Sequence, residues 1–232
     1  MIERRSFASL GQFRNEWLHA RHHFSFGQYY DPNRMGVGSL RVWNDDVINP
    51  GTGFDPHPHQ DMEIITYIRK GAITHQDSMG NRGRTGAGDV QVMWAGSGIV
   101  HAEYNLEAEE TILFQIWIET AQPGLKPGWT QQAFPQVEDR LVVLASGRTI
   151  PGHDSAPRIH QDAALLGAVL SPGASVSYPI QDRMAYLVAD HGMVSTNGED
   201  AMARDGVLIR DEETLTVTAG PDGAEIVFAD VA

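Results

Sequence analysis

The chain is written in short apolar runs, each closed by glycine, asparagine or aspartate, and this punctuation restricts the fold more than any other feature. Runs at 39–43, 63–68, 89–94, 111–118, 141–144, 184–188, 207–209, 215–218 and 226–228 follow one another closely, and several alternate apolar with polar residues. Such runs read as β-strands, because successive side chains on a strand point to opposite faces. Turn signals at Met79-Gly80-Asn81, Thr196-Asn197-Gly198 and Pro221-Asp222-Gly223 supply the hairpins that a barrel or sandwich requires. Helical patterning is weak and confined to 13–19 and 162–166. The expected class is all-β.

A length of 232 residues admits one large β-domain or two small ones. With 41% hydrophobic residues, 24 glycines and 12 prolines, the composition is that of a folded, turn-rich protein. Between 119 and 136 the chain changes character, with Pro123-Gly124, Pro127-Gly128 and Pro135 set among glutamines. This stretch marks the expected boundary between an N-terminal domain, 1–130, and a C-terminal domain, 131–232. A faint internal repeat supports two barrels of one kind, since 62–71 resembles 183–192 and 89–93 resembles 205–209. When Gly71 is matched to Gly192, Tyr178 and Ile180 stand where the first half has His57 and His59. A metal site is therefore expected only in the first domain.

That site is suggested by two short clusters, His57-Pro58-His59 and His101-Ala102-Glu103. On a strand, residues i and i+2 share a face and lie roughly 6.6 Å apart, so each cluster offers two adjacent ligands. Facing each other across a barrel, His57, His59, His101 and Glu103 would supply three nitrogens and one oxygen, a set suited to zinc, iron, copper, nickel, manganese or cobalt. A lone histidine is more often a core or surface residue, and two doublets together argue against that reading. His22 and His23 are adjacent and would point to opposite faces, which assigns them a surface or packing role. His75 is read as bonding into the Asp77-Ser78 turn, and His153, His160 and His191 are isolated. Phe24, Phe26, Tyr29 and Tyr30 could wall a pocket for a planar substrate, although aromatics in a β-protein more often pack the core.

The absence of cysteine excludes disulfides, thiolate sites and iron–sulfur clusters, so any redox chemistry must come from a metal. A net charge of −13 makes a nucleic-acid backbone a repulsive partner. The start of the chain has no apolar leader-like stretch, and the longest apolar run, 163–170, is too short to cross a bilayer. A cytoplasmic protein with no membrane contact is expected, with monomer as the default state.

Gly51, His57, His59, Glu63 and Gly71 together resemble the first motif of the cupin superfamily, and Gly98, His101 and Asn105 resemble the second. The departures, with Gly96 where proline is usual and an extra residue before Gly71, point to one branch. The strings His57-Pro58-His59-Gln60-Asp61-Met62-Glu63, His75-Gln76-Asp77-Ser78-Met79-Gly80 and Ala95-Gly96-Ser97-Gly98-Ile99-Val100-His101-Ala102-Glu103 resemble the pirin family, as do His23-Phe24-Ser25-Phe26 and Tyr29-Tyr30-Asp31-Pro32. The resemblance implies a bicupin, two antiparallel jelly-roll barrels packed together, with one metal centre in the first. Ordinary cupins would use His57, His59, Glu63 and His101, whereas the pirin pattern implies His57, His59, His101 and Glu103. Glu63 would sit about 13 Å beyond His59 on an unbroken strand, while Glu103 shares a face with His101. Glu103 is thus the expected ligand and Glu63 an acceptor that orients a histidine.

The resemblance also implies an activity. Bacterial pirins are similar to quercetin 2,3-dioxygenases, oxidoreductases that open a flavonol ring with dioxygen and release carbon monoxide. In that reading one divalent ion, with Fe(II) first, binds a small aromatic substrate, and Glu103 takes the substrate's proton as catalytic base. The rival reading is a non-enzymatic, iron-dependent redox-sensing co-regulator that binds a protein partner.

Overall fold

The computed structural model describes residues 1–134 and 137–232, so Pro135 and Gln136 of the expected boundary lie outside the described residues. Its first half runs β1 (Ile2–Arg5), β2 (Gly11–Arg14), β3 (Leu18–His22), β4 (Leu40–Ile48), β5 (Thr52–His59), β6 (Met62–Lys70), β7 (Ala72–Asp77), β8 (Arg82–Gly86), β9 (Val90–Trp94), β10 (Ile99–Asn105), β11 (Thr111–Glu119) and β12 (Gly128–Gln132). The second half runs β13 (Val142–Ser146), β14 (Ala163–Leu170), β15 (Ser175–Pro179), β16 (Met184–Thr196), β17 (Glu199–Ala201), β18 (Gly206–Ile209) and β19 (Thr214–Val231). The strand pairs are antiparallel, which agrees with the all-β bicupin expectation. The only helical element among the described residues is a 3-10 turn at Phe7–Ser9. Among the described residues no helix is long and apolar enough to cross a membrane.

Both weakly helical stretches are strand. At residues 13–19 the Asn15 side chain accepts from the backbone N–H groups of Trp17 (3.0 Å) and Leu18 (2.7 Å), and this Asx turn folds β2 back onto β3. The stretch 162–166 opens β14, whose apolar run is buried on both faces and so carries no alternation to tell strand from helix. Within the expected linker, β12 pairs with β9, and Gly128 leaves the space that the Trp94 ring fills. The Asn197-Gly198 turn joins β16 to β17 with both residues at positive φ, 47° and 90°. Pro221-Asp222-Gly223 is not a hairpin turn: β19 continues through it, opposite register shifts in β16 that absorb the irregularity.

In the first half, a four-stranded sheet (β5-β10-β7-β8) faces a seven-stranded one (β12-β9-β6-β11-β4-β3-β2). The second half contributes seven strands, β13–β19, to an eight-stranded sheet curled over its own apolar core, and β1 supplies the eighth by pairing with β18. The central strands of the seven-stranded sheet, β4, β6, β9 and β11, are buried on both faces. Ile65, Phe114, Ile116 and Trp43 pack outward against Leu165, Tyr186, Val188 and Val227 of the second half. Their neighbours Thr66, Gln115 and Asn44 face inward, which is why β6 and β11 read as nearly unbroken apolar runs with a single polar residue inside, whereas β4 carries Asn44, Asp45 and Asp46 in a row. Burying each large apolar side chain contributes about 1.5–3 kcal/mol, so this interface is strongly cohesive.

Polar contacts fix how the halves meet. Asp45, fully buried, accepts from Arg69 (2.7 Å) and, across the interface, from Arg204 (2.6 and 3.0 Å). His23 and the Tyr186 hydroxyl share a buried hydrogen bond of 2.8 Å. Tyr186→Phe strands the buried His23 ring, and we expect a loss of about 1–3 kcal/mol in urea unfolding; an unchanged midpoint would show that this contact contributes nothing.

Candidate metal centre

The two sequence clusters meet because β5 and β10 pair in a register that sets His57 directly opposite His101, with His59 opposite Ile99. A bulge follows on β5, so Glu103 stands opposite Phe54, while on its other side it faces His75 of β7. The imidazoles of His57, His59 and His101 have centroids 4.5–5.0 Å apart, and one nitrogen from each lies within 4.8 Å of the others. His75, His101 and Glu103 form a second triad by the same measure, sharing His101 with the first.

The free nitrogens fit a cation. His57 Nδ1 lies 2.7 Å from the Asp55 carbonyl; donation there leaves Nε2 as a lone pair. His59 Nε2 and both ring nitrogens of His101 are buried without a hydrogen-bond partner, as is His75 Nδ1. Each unpaired buried polar atom costs about 1–3 kcal/mol, a penalty that an ion between His57, His59 and His101 would remove for His59 Nε2 and for one nitrogen of His101. Burial, with the neighbouring imidazoles, drives the His101 pKa down to about 2, and burial followed by the His57 charge takes His59 to about 4. Both are neutral at pH 7, the form that binds metal. The three imidazoles suit a divalent first-row ion, and the carboxylate of the expected set, Glu103, groups with His101 and His75 rather than with His57 and His59.

Glu103 reaches across the barrel onto the seven-stranded sheet. Its Oε1 accepts from Thr66 (3.2 Å) and Gln91, and its Oε2 from Gln115 (2.9 Å). These acceptors' donors belong to one row: His22, Asn44, Gln115, Thr66, Gln91 and Gln131 stand in register across β3, β4, β11, β6, β9 and β12. Thr85 of the small sheet bonds Gln91 (3.2 Å) and Gln131 (3.0 Å), extending the network. Burial pushes the Glu103 pKa up to about 7, and the bonds from Thr66 and Gln91 keep it from rising further.

Beside the triad opens a cavity of about 860 Å³, walled by Trp17, Phe26, Tyr29, Phe54 and Trp117, with His57, His59, His22, Asn44, Asp46 and Gln115 adding polar groups. Trp117 meets the His59 ring edge-on at 4.9 Å. Of the four candidate wall aromatics, Phe26 and Tyr29 line this cavity, Phe24 is core and Tyr30 is exposed. His22 lines it too, bonded to Asn44 at 2.8 Å, so its role exceeds packing. Glu63 is elsewhere: it is buried on the opposite face and accepts from the backbone of His160 in the second half (2.9 Å), so the histidine that it faces is not one of the cluster. His75 does bond Asp77 (3.0 Å), as expected, yet it also stacks on Trp129 and borders His101. The signal that could have found Gln115, Thr66 and Gln91 is a lone polar residue on the inward phase of each apolar strand.

The family model described as Pirin matches residues 3–118, and that described as Quercetinase C-terminal cupin domain matches 144–231. A Pirin-like protein of Caulobacter vibrioides is 55% identical, with 100% of both chains covered. Quercetin 2,3-dioxygenase of Escherichia coli is 40% identical over 98% of each chain. The crystal structure of bacterial pirin YhhW from Escherichia coli in complex with nickel(II) superposes with a TM-score of 0.92 at 38% identity, covering 100% of this chain and 99% of that one.

In the metal-free protein, histidine NMR titration should place His59 near pH 4 and leave His101 neutral throughout the folded range. Unfolded imidazoles bind protons near 6.5, so these two residues favour unfolding as pH falls from about 6.5 toward 4; Glu103 acts in the other sense, its contribution being lost as pH rises through 7. A His59 midpoint near 6.5 would show that the site is open to water.

Proposed function

We propose that this chain, which belongs to the pirin family, is a metal-dependent dioxygenase of the quercetin 2,3-dioxygenase type acting on a planar, hydroxylated aromatic substrate. The observation that carries the reading is the convergence of His57, His59 and His101, with His59 Nε2 and both His101 nitrogens unpartnered, beside an aromatic cavity that His57 and His59 line and that is large enough for a drug-sized molecule. His57, His59, His101 and Glu103 would hold one divalent ion. Iron(II) is our choice for turnover with dioxygen, while the nickel(II)-bound relative supports the wider class of first-row ions. Bound there, the ion would supply a Lewis acid that lowers the pKa of a substrate hydroxyl and leaves positions open for substrate and dioxygen.

The protein's own part is positioning and proton transfer. Trp17, Phe26, Tyr29, Phe54 and Trp117 hold a flat ring system. The Asp55 carbonyl fixes the His57 tautomer, and the edge of Trp117 restrains His59. Glu103, a carboxylate once the ion is bound, is the base for the hydroxyl proton when the ion has lowered the substrate's pKa, and Gln91, Gln115 and Thr66 hold its carboxylate in place.

Iron-loaded protein incubated with quercetin in air should consume the flavonol absorbance and release carbon monoxide. Metal retained with neither change overturns the dioxygenase reading and leaves the redox-sensing one. His101→Ala should lower metal affinity by about a hundredfold or more, whereas Glu63→Gln should keep the ion. Retention in Glu103→Gln together with loss in Glu63→Gln would reverse the ligand assignment.

Metal uptake also reports on Glu103. At pH 7 the wild type should release about half a proton more per ion than Glu103→Gln, rising toward one at pH 6 and vanishing by pH 8. Calorimetry in buffers of different ionisation enthalpy measures this. Equal release in both proteins would remove Glu103 from the coordination.

A further inference from the structure

Asp46 has no structural explanation. It lies on the inward phase of β4, beside Ala20 of β3 and Leu113 of β11, in a row that continues through Ile68 of β6. Only 1% of it is exposed, yet its side chain forms no hydrogen bond or ion pair among the described residues, and Oδ1 is buried without a partner. Its neighbour Asp45 takes Arg69 and Arg204, but on the other face of the sheet. An unpaired buried carboxyl is costly, and a fold with no use for it gains by losing it.

The carboxyl borders the cavity that also contains His57 and His59. Two residues away on the same face, Asn44 gives its carbonyl oxygen to His22 and keeps an amide NH2 with no protein partner among the described residues. Burial, then the Asp45 and Glu103 carboxylates, push Asp46 well above the usual carboxylate range, so that it can both donate and accept. Aromatic walls supply affinity for flat rings but do not distinguish a hydroxylated ring from a bare one, whereas a polar group left unpaired does.

We infer that Asp46 is the residue by which this pocket selects hydroxylated aromatic ligands, its carboxyl pairing with a ring hydroxyl away from the metal-binding end of the molecule. This rests on the proposed substrate class, and it concerns binding, so it can be separated from turnover.

The test measures anaerobic dissociation constants of the metal-loaded protein by tryptophan-fluorescence quenching. The two probes are quercetin and 3-hydroxyflavone, which keeps the 3-hydroxyl and 4-carbonyl but lacks the other hydroxyls. The wild type should prefer quercetin by about tenfold or more. Asp46→Leu should bring that ratio to within about twofold while melting no lower than the wild type, because an unpaired carboxyl is replaced by a side chain suited to its apolar row. Asp46→Ala, which cannot clash, should lose the preference equally. A ratio unchanged in both variants, or no preference in the wild type, overturns the inference. Quercetin turnover with an unchanged ratio would overturn the inference alone; a lost preference without turnover would overturn the dioxygenase reading alone.

Discussion

A carboxylate removed from water must be met by donors, and the first barrel is organised around meeting one. Glu103 rises from the small sheet and is received by Thr66, Gln91 and Gln115 of the large one. The contact joins the two layers at the depth of the histidines, so the spacing that allows a metal centre also closes the barrel. Slipping either sheet by one residue would turn Glu103 or its receiving row to the wrong face. The polar row is therefore a register lock as well as a support for the site.

The same sheet has a second task on its other side. Along β6, Thr66 serves the site while Ile65 and Tyr67 pack against the second half; along β4, Asn44 and Asp46 face the cavity while Trp43 and Asp45 face the interface. A strand with no solvent face has no slack, since a shift that relieves one side disturbs the other. The second half thus reaches the chemistry without touching it, by fixing the backs of the strands whose fronts hold Glu103 and line the pocket.

Much of this architecture could be read in the residues. Period-two patterning and turn residues gave the class, and the i,i+2 doublets located the histidines, because both depend only on local geometry. What could not be read depends on pairing across distance. Glu63 shares the motif of His57 and His59, yet its partner is His160, which nothing near it in the chain reveals. Pro221-Asp222-Gly223 has the composition of a turn, but it forms a bulge within β19, which pairs with β16 on both sides of it. Gln91 in a run of valines looks like a flaw in a strand until β6 and β11 set Thr66 and Gln115 beside it.

The first strand, Ile2–Arg5, does not pair within its own half but along Gly206–Ile209, near the opposite end of the chain. Contacts so far apart in sequence close a long loop, and they form late and slowly. β1 then forms the end strand of the eight-stranded sheet, where the charged side chains of Glu3 and Arg4 blunt the kind of edge on which chains aggregate. The strand Ile2–Arg5 thus acts as a clasp between the two halves, and a chain in which it has not closed leaves β18 as a bare edge.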